Sequence, residues 1–219
     1  MFNDSYYSSF EDSNEKYDEE IKIIVLGEAG VGKSNIITRY AGGEFNPHSL
    51  PNNTSSFIVK YYTFGNKIYR INLWDTAGQE KYYSLTRLFI KDTQIALLVY
   101  AIDDYKSFEK IDFWYNVIKE ACKDAIISII GNKIDLIMNE KVDQNEAKDK
   151  ANKYNAEFGL TSALNDDSGI DEIIENLVKK YIKSIGGSIK VDLLKEDIKF
   201  DLKKNSDEKI KRKKKGCCI

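Results

Sequence analysis

The chain has few of the residues from which catalytic and metal centres are most often built. Of its 219 residues one is histidine, His48, and three are cysteine, Cys122, Cys217 and Cys218. Three cysteines, two of them adjacent, make no disulfide framework, and a Cys/His zinc site lacks its ligands. A reducing compartment is expected. His48 sits in a stretch with no periodicity, so it is expected in solvent and no Ser/His/Asp or Cys/His nucleophile set is assembled around it. No apolar run approaches the ~18 residues of a membrane-spanning helix, and the mean hydropathy is −0.46. Any membrane contact must come from an anchor. The opening residues carry no basic-then-apolar leader, and Phe2 stands where N-myristoylation needs glycine. Synthesis in the cytosol is expected.

The small net charge of −2 hides an asymmetry. Residues 1–20 hold seven acids and one lysine, whereas residues 186–219 hold eleven Lys/Arg and six acids. A nucleic-acid reader carries its basic residues on the folded domain, so no nucleic-acid partner is expected, and the basic tail has its own purpose. Residues 1–20, rich in Asp, Glu, Ser, Asn and Tyr without any period, read as a disordered acidic arm. Residues 21–185 read as one domain, and residues 186–219 as a flexible tail. Val191, Leu194 and Ile198 in that tail fall at helical spacing, but a linker is the preferred reading.

Within the domain, the apolar run Ile21–Leu26 is followed by Gly27-Glu28-Ala29-Gly30-Val31-Gly32-Lys33-Ser34 and then a helical segment to Ala41, stopped by Gly42-Gly43. A G-x-x-x-x-G-K-[ST] loop between strand and helix directs backbone N–H groups, a helix N-terminus and a lysine at one polyphosphate. Phe45–Ser56 lacks a period and holds both prolines, a loop long enough to suggest function. Phe57–Phe64, the Gly65-Asn66 turn and Lys67–Trp74 read as a β-hairpin. Ile95–Ala101 and Ala125–Ile130 are apolar strands flanking a helix with Phe108, Ile111, Tyr115, Ile118 and Cys122 on its apolar stripe. That stripe makes Cys122 a structural, buried residue. Asp143 and Glu146 form a capping box for a helix to about Tyr154, and Phe158–Leu160 is a last short strand. Ile170, Ile173, Ile174, Leu177, Val178, Tyr181, Ile182 and Ile185 mark an amphipathic final helix ended by Gly186-Gly187. The order predicts an α/β fold: a doubly wound, mostly parallel six-stranded sheet with one antiparallel edge strand and helices on both faces. Ligands on such sheets bind beyond the carboxyl ends of the strands.

Three further motifs lie in such loops. Asp75-Thr76-Ala77-Gly78-Gln79 closes the hairpin 42 residues after Lys33. An acid there can hold Mg²⁺, Gly78 lets a backbone N–H approach a γ-phosphate, and Gln79 can orient an attacking water. Asn132-Lys133-Ile134-Asp135 follows a strand; a carboxylate accepts from guanine's N1 and N2 edge, which adenine does not offer, and a lysine stem covers a flat base. Thr161-Ser162-Ala163 follows the last strand, where a small residue lets a backbone N–H reach guanine O6. An ATP-dependent kinase is disfavoured by Asp135 and by the lack of a base for an acceptor.

With these four motifs in order, residues 21–184 resemble the small Ras-like GTPases and, within them, the Rab family. The likeness is carried by Trp74–Thr86 (WDTAGQEKYYSLT), Leu97–Asp103 (LLVYAID), Ser107-Phe108, Phe113-Trp114 and the terminal Cys217-Cys218. It implies a P-loop GTPase domain in which Gly27, Ala29, Gly30, Val31, Gly32, Lys33, Ser34 and Asn35 surround the phosphates, and Ser34 and Asp75 serve Mg²⁺. It further implies that Gln79 positions the hydrolytic water and Gly78 meets the γ-phosphate. Phe45, Asn132, Lys133, Asp135, Thr161, Ser162 and Ala163 would meet the base. Phe57, Trp74 and Phe89 match the aromatic positions through which Rab proteins meet effectors. The likeness departs at Asn52, which stands where the family has a threonine contacting Mg²⁺ and the γ-phosphate. Either the Asn52 amide oxygen ligates the metal or a loop shift brings in Thr54. The alternative reading is therefore a guanine-nucleotide-binding module that switches weakly or not at all.

The run Lys211–Lys215 before Gly216-Cys217-Cys218-Ile219 is not a C-a-a-X box. It resembles the double-cysteine ends of Rab proteins, which receive two geranylgeranyl groups. Two lipids hold a protein stably where one does not, and each basic residue near an anionic surface adds about 1 kcal/mol. The resemblance implies GTP and GDP as ligands, Mg²⁺ as cofactor, slow hydrolysis without an activating protein, and a monomer. It also implies an exchange factor, effectors and a prenyl-binding escort as partners in vesicle trafficking. The expected location is the cytoplasmic face of an intracellular membrane, with an escorted cytosolic pool.

Overall fold

The computed structural model describes residues 16–43, 56–76, 89–165 and 169–186. Their strands are β1 (Glu19–Leu26), β2 (Ser56–Phe64), β3 (Lys67–Asp75), β4 (Ile95–Ala101), β5 (Ile126–Asn132) and β6 (Glu157–Leu160). The helices are α1 (Lys33–Tyr40), α2 (Tyr105–Glu109), α3 (Ile111–Ala121), α4 (Gln144–Lys153) and α5 (Ile170–Ser184), with a 3₁₀ segment at Ile134–Asn139. The sheet order is β2-β3-β1-β4-β5-β6. All neighbours are parallel except the β2–β3 hairpin, which leaves β2 as the antiparallel edge. This is the doubly wound sheet that the sequence predicts.

β4 is buried at every position and β1 from Ile23 to Leu26, because helices cover both faces. One core layer sets α1 and α5 against the sheet through Ile36, Ile37, Leu177, Val178 and Ile182. The other sets α3 and α4 against the opposite face through Ile111, Trp114, Ile118, Ala147 and Ala151. Among the described residues no helix is long and apolar enough to cross a membrane.

Several boundaries differ from the sequence reading. β1 begins at Glu19 rather than Ile21, because its charged start finds donors across the sheet: Lys67 bonds Glu19 at 2.7 Å, and Arg70 and the Asn72 amide reach Glu20 at 3.5 and 2.6 Å. The helix read through Phe108 is two helices divided at Lys110, so the buried stripe of α3 runs Ile111, Trp114, Val117, Ile118. Cys122 is only partly buried and donates its S–H to the Ile90 carbonyl at 3.2 Å. Asp143 caps α4 by accepting from the N–H groups of Asn145 and Glu146 at 2.8 and 3.1 Å. The reciprocal half of the capping box is not made; Glu146 accepts from Tyr105 Oη at 2.6 Å. Ile185 lies past the end of α5 and is exposed.

α5 is preceded by its N-cap Gly169, close to the carbonyl of Leu160 at the end of β6, and runs back along the sheet. Near its far end Lys180 pairs with Glu157 at the start of β6. Burial, and then the charge of Glu19 at the start of β1, raise the Tyr181 phenol above its ordinary pKa.

Candidate nucleotide site

Four chain segments meet at the carboxyl ends of β1, β3, β5 and β6. The first is the glycine loop. Gly27, Gly30 and Gly32 have φ of 153°, 80° and 96°, which side-chain-bearing residues rarely adopt. Gly27 and Gly32 are also required for space: a Cβ would lie 2.2 Å from the Val99 carbonyl at Gly27 and 2.3 Å from Asn132 Nδ2 at Gly32. Gly32 is the N-cap of α1, and neither a capping side chain nor an acid occupies the first turn. An N-terminus with no acid in its first turn suits an anion by its helix dipole. Lys33 is 4% exposed and its ammonium donates to the Gly27 and Glu28 carbonyls at 2.9 and 2.8 Å, which holds a positive charge inside the loop. Ser34 and Asn35 follow in the first turn.

Asp75 is the last residue of β3 and is 1% exposed, in register with Val25 of the neighbouring β1. Thr76 behind it donates its hydroxyl to the Val25 carbonyl at 2.5 Å. That bond ties the exit of β3 to the strand that delivers the glycine loop. The sequence reading gave Thr76 no role; its one signal was a hydroxyl directly after the strand-ending acid.

The third segment is anchored to the first. Asn132 ends β5, is 1% exposed, and its Nδ2 donates to the Val31 carbonyl at 2.7 Å. Its Oδ1 is buried and has no hydrogen-bond partner among the described residues. Lys133 has φ of 68°, which turns the chain out of β5 into the 3₁₀ segment, and its ammonium lies 3.6 Å from Asp103. Asp135 accepts from the Ser162 hydroxyl. The fourth segment therefore docks on the third: the Thr161 N–H donates to Gly131 O at 2.9 Å, and Ile134 N–H to Thr161 O at 3.3 Å. Ala163 is buried, and its carbonyl accepts from Arg39 of α1 at 2.7 Å. Arg39 is a second residue that the sequence reading missed.

The aromatic trio also comes together. Phe57 and Trp74 stack with centroids 4.8 Å apart and planes at 20°, and Trp74 meets Phe89 at 6.1 Å and 49°. All three are half-buried, and the Lys22 ammonium lies 5.3 Å from the Trp74 ring. Phe45, Asn52, Thr54, Gly78, Gln79, His48, Cys217 and Cys218 lie outside the described residues.

The described donors suit a magnesium nucleotide. Among these residues no three His, Cys, Asp or Glu side chains gather to cage a metal. Mg²⁺ fits such a site, since it takes one or two protein oxygens and fills its shell with water and phosphate oxygens. Ser34 and Asp75 offer hard oxygen donors of that kind.

The Ras family model matches residues 22–183 of the chain. Among curated relatives, the Ras-related protein Rab-11B of Dictyostelium discoideum is 40% identical over 163 residues, covering 74% of each chain. The Ras-related protein Rab-21 of Geodia cydonium is 34% identical over 164 residues, 74% of this chain and 71% of its own. Rab-21 of Homo sapiens is 35% identical over 164 residues, 74% of this chain and 72% of its own. With its phosphate loop, its strand-ending acid and its Asn-Lys-x-Asp segment gathered at one end of a doubly wound sheet, the chain belongs to the Ras family of GTPases as a Rab-like member.

Proposed function

We propose that this Rab-like GTPase binds guanine nucleotides where the four described segments meet, hydrolyses GTP slowly without an activating protein, and acts as a membrane-attached switch in vesicle trafficking. The observation that carries the reading is the 2.7 Å bond from Asn132 to Val31. It joins the segment suited to a purine to the loop suited to its phosphates.

Lys33 and the N–H groups at the start of α1 would bind the β- and γ-phosphates, and Asp135 would accept from guanine's N1 and N2 donors. Lys133, held out of the strand by its left-handed backbone, would lay its stem along the base. Ser34 and Asp75 would hold Mg²⁺, which when bound neutralises charge on the phosphate oxygens. Gln79 would orient the water that attacks the γ-phosphorus as the bond to the β-phosphate oxygen breaks. Ordering of residues 45–56 by the γ-phosphate would remodel the Phe57–Trp74–Phe89 surface that effectors read. Cys217 and Cys218, lipidated and preceded by five basic residues, would hold the cytoplasmic face of a membrane between visits to an escort.

The test is competition: purified protein loaded with labelled GTP should release it to excess GTP or GDP and not to ATP. Equal release by ATP overturns the proposal. For the tail, serine at both Cys217 and Cys218 should move a tagged protein from membranes to the cytosol. An unchanged distribution removes the anchor from the reading.

Asn52 supports a second reading, a guanine-nucleotide-binding module that barely switches. Amide exchange of residues 45–56 separates the two. Slower exchange with a GTP analogue and Mg²⁺ than with GDP marks a switch, and equal exchange marks the passive module.

A further inference from the structure

We infer that Arg39 is a positioning residue for guanine recognition: its guanidinium fixes the Ala163–Leu164 turn, and with it the backbone N–H that meets the purine's 6-oxygen. The inference rests on the guanine reading above and deepens it.

Arg39 lies in the last turn of α1, the helix that carries Lys33 and Ser34 in its first turn. Its Nε donates to the Ala163 carbonyl at 2.7 Å and its Nη2 to the Leu164 carbonyl at 2.9 Å, across 124 and 125 residues of sequence. Nε and Nη2 form one edge of the planar guanidinium, so two successive carbonyls are held in one rigid fork. An ammonium has no such fork.

The rest of the turn is already held on its other side. Thr161 is pinned to Gly131 and Ile134 by backbone bonds, Ser162 donates to Asp135, and the Leu164 N–H donates to the Ser162 hydroxyl at 3.3 Å. Arg39 supplies the contact from the phosphate-binding helix. It thereby sets the distance between the part of the site that takes the phosphates and the part that takes the base. A hydrogen bond to the 6-oxygen is sensitive to placement over a few tenths of an ångström. A cation at a helix C-terminus also favours the helix in its own right. The two roles differ in what they do to base discrimination.

The experiment measures affinities of wild type, Arg39→Ala, Arg39→Lys and Arg39→Gln for GDP, 6-thio-GDP and IDP. Sulfur at position 6 weakens the acceptor while leaving N1 and N2 intact; IDP lacks only the N2 amino group that faces Asp135. Wild type should prefer GDP over 6-thio-GDP by about tenfold, the scale of one hydrogen bond. In Arg39→Ala that preference should fall to about twofold or less, while the preference for GDP over IDP stays as in wild type. Arg39→Lys and Arg39→Gln, which each keep one donor nitrogen but not the fork, should fall between. Equal weakening for all three nucleotides means a merely structural role and overturns the inference, as does a wild type indifferent to sulfur. If wild type binds ADP as tightly as GDP, the guanine reading itself has failed.

Discussion

The side-chain amide of Asn132 crosses 101 residues of sequence to donate to the Val31 carbonyl at 2.7 Å, and the same nitrogen lies 2.3 Å from where a Cβ on Gly32 would stand. The end of β5 and the glycine loop thus share one small volume. Removing the amide leaves a buried carbonyl unsatisfied, at about 1–3 kcal/mol. Asn132→Ala should lower unfolding stability by that amount and weaken GDP binding at least tenfold, read by denaturant unfolding and nucleotide dissociation. Unchanged dissociation would mean that the loop keeps its shape alone.

The glycines of the loop should not respond alike. Gly30→Ala meets open space and carries only the left-handed backbone penalty of about 1–2 kcal/mol. Gly32→Ala carries a similar penalty and also displaces Asn132. Urea unfolding should rank Gly32→Ala as the more destabilised by at least about 1 kcal/mol; the reverse order contradicts the described contact.

How much of this was legible beforehand differs by element. β4 and the buried half of β1 announce themselves because strands covered on both faces must be continuous apolar runs. The start of β1 does not, since Glu19 and Glu20 are stabilised by Lys67 and Arg70, some fifty residues away. Sequence periodicity runs the stripe of α3 through the break at Lys110 and so omits Trp114 and Val117. The four segments that meet at the carboxyl ends of the strands were legible because their residue types and order carry the chemistry. Their supports were not: Arg39 reads locally as a helix-end cation and Thr76 as one more hydroxyl, and only tertiary structure gives either a distant partner.

Trp74 should report on the ligand. It stacks on Phe57, which follows residues 45–56, and leads directly into Asp75. In a Trp114→Phe background, exchange of GDP for a GTP analogue with Mg²⁺ should change Trp74 emission. Identical spectra in the two states would separate the aromatic trio from the nucleotide.

Acid should loosen the packing of α3 on α4. Burial raises the Asp112 pKa, but the Tyr154 hydroxyl at 2.6 Å and the Lys150 ammonium at 3.1 Å outweigh it and leave the carboxyl below its ordinary value. A carboxyl depressed by folding stabilises above its unfolded pKa and loses that contribution as pH falls through the folded one. Stability should therefore drop below about pH 4. Asp112→Asn should flatten that part of the profile, measured by thermal unfolding against pH.

At the alkaline end the sign reverses. Burial pushes the Tyr62 phenol up to about 12, and the Tyr40 phenol, bonded to it at 2.9 Å, also lies well above its ordinary value. Folding favours the protonated phenols, so their contribution is complete below the unfolded pKa of about 10 and lost as pH rises beyond it. Ultraviolet titration of the folded protein should show fewer tyrosines ionising near pH 10 than after denaturation. Tyr62→Phe should remove one of the late steps.

α5 returns to the start of β1, so its C-terminal end lies at the pole opposite the glycine loop. On the proposed reading, an anchor beyond Gly186 would be joined to one end of the sheet and a nucleotide would enter at the other. Mooring and exchange would then not compete for the same surface, and the domain could be held in place while its ligand is replaced.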